Sequence, residues 1–208
     1  MIKIENTVTP APAHWEAAIR GMRNPMNSWS KMDSYFTSGS YCIGENDRKL
    51  MQQLYKAGPE HAKFLRMLPI IVDITAPLYF WKEADTYKVG TTANSCSTMH
   101  KITAKNFAEE DFSREHLTEE SLATLRTTIN TLNHYRLRYL NTKEKEEWWQ
   151  LIQLLPSSYN QKRTVALNYA VLLHMYHQRK NHKLDEWHDF CDWVESLPCM
   201  DLFIGAEV

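Results

Sequence analysis

The pattern of apolar and polar positions along this chain predicts mostly helices. An apolar residue every three or four positions places one face of a helix against a core. Four stretches show this spacing: Pro12–Arg23, a helix capped by Asn46 or Asp47 and ending at Gly58, a long helix from Thr118 through Leu137, and Leu184–Leu197. Another helix is expected over Lys143–Leu155, because Pro156 cannot continue it.

Extended structure is expected in fewer places. Met67–Thr75 is rich in β-branched residues and predicts a buried strand, after which Pro77 opens a short helix. Lys162–Arg179 is ambiguous, since its first half is typical of a strand and its second half of a helix. Asn24–Gly44 is predicted to be a loop held in place by Trp29, Tyr35 and Phe36. The expected fold class is α+β: a single mixed domain over residues 1–208, mostly helical with a small antiparallel sheet.

Charge and composition limit the classes of function. The 24 basic and 25 acidic residues nearly balance, so nothing indicates binding to a nucleic-acid polymer. The first residues lack the basic and apolar regions of a signal peptide, and no apolar run approaches the roughly 18 residues of a membrane span. The four cysteines have no C-x-x-C spacing, which favours a reduced, cytoplasmic protein.

The segment Ala76–His100 concentrates hydroxyl, amide and charged groups around Gly90. Small hydrogen-bond donors beside lysines suit an anionic ligand. The alternative is an ordinary polar connection with a turn and a helix cap.

Metal and nucleophilic chemistry receive little support from the sequence. His174 and His177 lie three residues apart, whereas a zinc-binding helix usually has the H-E-x-x-H spacing, which is absent. We therefore predict no metal site. Cys96 lies in the polar segment, but the sequence places no general base beside it.

Four segments of the chain together resemble the flavin-dependent thymidylate synthases. Gly58 and His61 precede the predicted strand, Ala76-Pro77 opens the next helix, and Lys82-Glu83 stand where that family has Arg-Gln. The family signature R-H-R-x-x-S-x-N-E-x-S-x-R-Y corresponds to Thr86-Tyr87-Lys88 followed by Asn94-Ser95-Cys96-Ser97. In the C-terminal half, Leu155-Pro156, Asn168, His174 and Arg179 stand at the family's distances of twelve, six and five residues.

The resemblance implies an enzyme that transfers a methylene unit to C5 of dUMP or a related pyrimidine nucleotide, with reduced FAD as the hydride donor. NADPH and methylenetetrahydrofolate are the implied co-substrates, and a homotetramer is the implied assembly. Arg179 is the implied catalytic residue and contacts the pyrimidine. The implied flavin-binding residues are His61, Lys88, Asn94, Asn168 and His174. The implied substrate-binding residues are Lys82, Glu83, Ser95, Ser97 and Arg179.

The chain also departs from that family in its arginines. Thr86 replaces the first signature arginine, Met99 replaces the last one, and Ala170 replaces the arginine of the family's N-x-R. Lysine does not reproduce the bidentate fork of arginine. The alternative hypothesis is therefore a non-catalytic homologue that kept the fold as a nucleotide-binding or interaction protein.

Overall fold

The computed structural model describes residues 2–37 and 40–205. Helices run over α1 Pro12–Arg23, α2 Glu45–Lys56, α3 Leu78–Ala84, α4 Thr98–Lys101, α5 Glu119–Thr142, α6 Lys145–Leu154, α7 Tyr169–Arg179, α8 Asp185–Glu195 and α9 Asp201–Ile204. Strands run over β1 Lys3–Val8, β2 Tyr35–Thr37, β3 Ser40–Cys42, β4 Pro69–Pro77, β5 Thr92–Ser95 and β6 Asn160–Asn168. Short 3₁₀ turns occupy Asn24–Met26, Trp29–Lys31, Lys63–Met67 and Glu109–Asp111.

The strands form one four-stranded sheet in the order β1–β4–β6–β5 and one hairpin of β2 and β3. The hairpin is antiparallel, with Tyr35 opposite Cys42. The predicted fold class, mostly helical with a small antiparallel sheet, is confirmed.

The chain divides into two compact units. The α5 unit comprises residues 2–3, 74–86 and 94–163, and the α7 unit comprises residues 4–37, 40–73, 87–93 and 164–205. The core of the α5 unit contains Phe107, Phe112, Leu125, Ile129, Leu132 and Leu151. The core of the α7 unit contains Trp15, Ile19, Met51, Leu65, Leu68, Tyr169, Trp187, Phe190 and Phe203. The single domain over residues 1–208 stays a prediction.

Most of the predicted helices are confirmed, and their buried residues follow the predicted faces. Helix α1 buries Trp15, Ala18, Ile19 and Met22. The hydroxyl of Thr118 caps α5 by accepting a hydrogen bond from the Ser121 amide. The long helix therefore begins where the sequence predicts. Leu137 was expected on the buried face of α5, but its side chain is 55% exposed because it lies five residues after Leu132 and outside the apolar stripe.

The ambiguous segment contains both predicted structures, since β6 passes directly into α7 at Asn168. Strand β4 differs from the prediction in burial. It begins at Pro69, and only alternate residues such as Ile70 and Val72 are buried, whereas Ile71 is 44% exposed. A strand with one covered face alternates in this way.

The region 24–44 is more ordered than the predicted loop, although its residues 38 and 39 lie outside the described residues. Trp29 and Tyr35 are 48% and 62% exposed, so neither ring packs into the core. Phe36 does hold this region, because its ring stacks on Trp15 at 6.1 Å between centroids.

The predicted cap of α2 was wrong, because the cap comes from a residue distant in sequence. The carboxylate of Asp33 accepts hydrogen bonds from the backbone amides of Asn46, at 2.9 Å, and Asp47, at 3.1 Å. A Cβ atom at Gly44 would lie 2.2 Å from the Asp33 carboxyl carbon, so this approach requires glycine.

Candidate functional site

In the α7 unit, Arg179 is held by aromatic side chains at the end of α7. Its Nε donates a hydrogen bond to the Tyr87 hydroxyl at 2.7 Å. Its guanidinium carbon lies 4.9 Å from the centroid of the Trp187 ring and 5.5 Å from that of Tyr87. Aromatic faces attract cations at these distances. The side chain of the predicted catalytic arginine is therefore oriented by partners from two other segments.

His174 lies on the same helix and contacts the same tyrosine. Its ring meets the Tyr87 ring edge-on at 5.7 Å between centroids. Tyr87 therefore links two residues that the sequence assigned to the site, Arg179 and His174.

The segment carrying Lys88 packs against the beginning of α7. Asn168 caps this helix, since its Oδ1 accepts a hydrogen bond from the Val171 amide at 3.1 Å. Gly90 has a φ of +81°, and a Cβ there would lie 3.0 Å from Asn168 Nδ2. Lys88 itself is exposed. The amide of Asn168 thus has a structural role as a cap, beside the flavin contact that stays a prediction.

A groove of about 430 Å³ opens beside α7. We call it the α7 groove; its described lining residues are Tyr55, Gly58, Pro59, Ala62, Leu65, Arg66, Ala170, Leu173, His174 and His177. The lining is largely apolar, which suits a flat organic ring system with a few polar contacts at its edge. Of the predicted flavin residues, His174 lines the groove directly.

His61 lies close to the groove without being part of its lining. Its backbone amide donates to the Gly58 carbonyl at 3.0 Å, and its side chain is exposed. The tight turn at Gly58, where φ is +103°, connects α2 to the 3₁₀ turn Lys63–Met67.

Two ring systems from different helices meet on one wall of the groove. The Tyr55 hydroxyl and His177 Nε2 are hydrogen-bonded at 2.7 Å, and the two rings are inclined by 26°. Burial lowers the pKa of His177, assisted by the charges of Lys180 and His174, and burial raises the pKa of Tyr55. Both groups are therefore neutral near pH 7, and this wall of the groove carries no charge.

The α5 unit contains a second cavity, of about 390 Å³, which we call the lysine cavity. Its described lining includes Cys96, Ser97, Lys101, Lys105, Glu110, Asp111, Tyr159, Gln161 and Lys162. Lys105 pairs with Asp111, and this hydrogen bond raises the lysine pKa. Three lysines stand against two acidic residues in the lining, so the balance of charge favours an anionic ligand.

The predicted substrate-binding residues are only partly gathered at this cavity. Ser97 lines it, and its hydroxyl accepts a hydrogen bond from the His100 amide at 3.1 Å. Ser95 lies in the exposed strand β5, beside Asn94, which is a predicted flavin-binding residue. Lys82 and Glu83 lie on α3, with Lys82 exposed and Glu83 half-buried. These four are not among the described lining residues of the lysine cavity.

Sequence reasoning missed several polar residues of both sites. They include Tyr55, Arg66, Lys101, Lys105, Lys162 and the groove-facing role of His177. No local pattern distinguishes them from surface residues, because distant segments meet at each cavity.

The described part of the chain shows neither a metal-binding cluster nor a membrane-spanning helix. No group of three or more His, Cys, Asp or Glu side chains there is arranged to hold a metal ion. Among the helices described, none combines the length and apolar character needed to cross a bilayer.

No protein-family model matches the chain, and no curated protein matches it either. Solved structures do match. Thymidylate synthase X (ThyX) from Helicobacter pylori, crystallised with FAD and dUMP, has a TM-score of 0.67 and 16% identity over 99% of this chain and 98% of that one. The UMP/dUMP methylase PolB from Streptomyces cacaoi, bound with 5-Br UMP, has a TM-score of 0.65 and 12% identity over 99% of this chain and 95% of that one. The chain therefore has the fold of the flavin-dependent thymidylate synthase ThyX and of the methylase PolB.

Proposed function

We propose that this protein binds a flavin and a pyrimidine nucleotide and methylates the nucleotide at C5. The substrate is dUMP or a related pyrimidine nucleotide, and FAD is the cofactor. The observation that carries the proposal is the combination of fold and groove. ThyX from Helicobacter pylori, which has this fold, was crystallised with FAD and dUMP, and the α7 groove of this chain is lined by His174, which stands at a family position.

The residues of the α7 groove fit a flavin ring system. A tricyclic flavin ring is flat and apolar with a polar edge, and the groove combines an apolar floor with the ring pair Tyr55 and His177. These two side chains, with His174, would hold the ring, and a reduced flavin would supply a hydride. Because Tyr55 and His177 are neutral, they provide hydrogen bonding and stacking without adding charge to the groove.

We propose that the lysine cavity of the α5 unit, taken by itself, binds an anionic group. Ser97 offers a hydroxyl there, and Lys101 and Lys162 offer positive charge. Arg179 has the role that the resemblance implies, which is contact with the pyrimidine. A guanidinium stabilises negative charge that develops on the ring, and Tyr87 keeps it oriented for this purpose. NADPH and methylenetetrahydrofolate as co-substrates and a homotetrameric assembly complete the proposal.

A second candidate function is a non-catalytic nucleotide-binding or interaction protein. Ala170 favours it, since this small residue lines the groove where the resemblance places an arginine.

Purified protein separates the two functions. Visible absorption of bound flavin, or its appearance on titration with FAD, supports the enzyme, and turnover of dUMP or UMP with FAD, NADPH and methylenetetrahydrofolate completes the test. Protein that stays colourless with excess FAD but binds dUMP in calorimetry supports the second function. Binding of neither ligand refutes both the enzyme and the nucleotide-binding protein, and leaves a role in protein interaction.

A further inference from the structure

Among the described lining residues of the α7 groove, a single side chain has a permanent positive charge. Arg66 is the one lysine or arginine among its described lining residues, and that lining includes no carboxylate. The other ionisable side chains there are one tyrosine and two histidines. A ligand with a negative group that enters this largely apolar groove meets one guanidinium.

Arg66 has no hydrogen-bond or salt-bridge partner within residues 2–37 and 40–205. The nearest salt bridge in sequence joins Lys63 to Glu60, at 3.6 Å, and leaves Arg66 out. Other arginines of the chain are engaged, for example Arg23 with Asp47 and Arg163 with Asp85. The guanidinium of Arg66 is therefore available to an anion from solution.

The backbone around Arg66 is fixed to α7. Its neighbours Phe64 and Leu65 are 2% and 1% exposed, so the 3₁₀ turn is anchored in the core of the α7 unit. The amide of Tyr169 donates to the carbonyl of Leu68 at 3.1 Å, which joins the end of this turn to the start of α7. The arginine thus has a defined place relative to Ala170, which lines the same groove.

We propose that Arg66 binds the phosphate of a flavin nucleotide. It supplies the positive charge that is absent at Ala170, where the family has an arginine. The inference rests on the proposed function, because it concerns the same groove. Arg66 and Ala170 belong to different elements, the 3₁₀ turn and α7, and line one groove. An arginine on either element can bind the same phosphate, because a guanidinium presents several N–H donors to phosphate oxygens.

The test compares three flavins that share a ring system and differ in phosphate. Riboflavin has none, FMN has one and FAD has a pyrophosphate. We expect Arg66→Ala to weaken the binding of FMN and of FAD at least about tenfold, since hydrogen bonds to charged groups contribute about that much to affinity. The affinity for riboflavin should stay unchanged. Flavin fluorescence quenching measures all three affinities without turnover.

Two further variants keep the comparison clear. Arg48→Ala removes another exposed arginine of the α7 unit that is not in the groove lining, and it should bind all three flavins like the parent protein. Adding Ala170→Arg to Arg66→Ala should restore affinity for FMN and FAD. Thermal melting of each variant checks that the fold is intact.

The outcomes are distinguishable. If the parent protein binds none of the three flavins, the proposed function fails. If it binds FAD and Arg66→Ala binds FAD equally well, the inference alone fails. Equal losses for riboflavin and FAD would mean that Arg66 shapes the groove and does not bind phosphate, which overturns the inference. Failure of Ala170→Arg to restore binding would overturn the claim that one charge replaces the other.

Discussion

The buried ion pair of Arg23 and Asp47 is expected to control the stability of the region that leads into α2. One carboxylate oxygen of Asp47 accepts from Arg23 Nε at 2.7 Å. The other accepts from the amides of Asp33, at 3.0 Å, and Ser34, at 2.9 Å, and from the Ser34 hydroxyl at 2.7 Å. Helix α2 then carries Tyr55 to the α7 groove. The proposed perturbation is Asp47→Ala.

The structure determines the size of the expected effect. The side chains of Arg23 and Asp47 are 3% and 0% exposed, so the variant leaves a buried guanidinium without its counterion and removes the acceptor of three further donors. Removing one member of a buried pair costs about 3–5 kcal/mol of unfolding free energy. For a chain of this length, that loss lowers the melting temperature by roughly 6–20 °C.

Urea unfolding followed by tryptophan fluorescence measures the loss. The matched control is Glu45→Ala, which removes the acidic member of a pair on the same helix with Lys49, where the side chains are 70% and 67% exposed. Such an exposed pair contributes about 0.3–0.5 kcal/mol. A loss below about 1 kcal/mol for Asp47→Ala, or equal losses in both variants, would refute the assigned role of the pair.

The same pair makes a prediction for acid pH. Burial of Asp47 acts to raise its pKa, but hydrogen bonds from Ser34, Asp33 and Arg23 outweigh burial, and the pKa lies below its usual value of 3.8. The folded state therefore binds fewer protons than the unfolded state in this range, so its stability falls as the pH drops through and below that value. The acid limb of the stability curve should be shallower in Asp47→Ala, and an unchanged slope would contradict the assignment.

Three further predictions concern the α7 unit. Gly90→Ala should destabilise the protein by about 1 kcal/mol more than Gly58→Ala in thermal melts. Both glycines have positive φ, but only Gly90 has neighbours, at 3.0 and 3.1 Å, that a Cβ would crowd, and equal losses would refute this. Burial lowers the pKa of His177, so the unfolded state binds more protons and stability should fall as the pH drops below about 6.5, with a flatter profile in His177→Gln. Arg179→Ala should lose about 1–2 kcal/mol of stability, because it removes the Tyr87 contact, and it should lose nucleotide binding in calorimetry. Arg179→Lys should restore little of that binding, and unchanged nucleotide affinity in Arg179→Ala would refute the proposed role of Arg179.

Local apolar periodicity and residues that start or cap helices were sufficient to predict most of the helices. Helix α1 begins at Pro12, and Thr118 caps α5, because each signal acts within one helical turn. The two halves of Lys162–Arg179 also kept their separate preferences, and the transition falls at Asn168, a residue that caps helices well. Interactions among neighbours in sequence decide these features, so the sequence alone contains them.

Contacts between residues that are distant in sequence depended on tertiary structure. Asp33 caps α2 from eleven residues before Gly44, and the sequence shows no sign of it. In the same way, the spacing that led to Arg179 and His174 does not reveal that both contact Tyr87.

The sequence by itself predicted the main helices and strands β4 and β6, and it proposed His174 as a site residue. Only the tertiary structure placed Tyr55, Arg66 and Ala170 in one groove, with more than a hundred residues between the first and the last. The physical reason is that helix and strand preferences are local, whereas a groove forms where buried side chains such as Leu65 and Tyr169 bring distant backbones together.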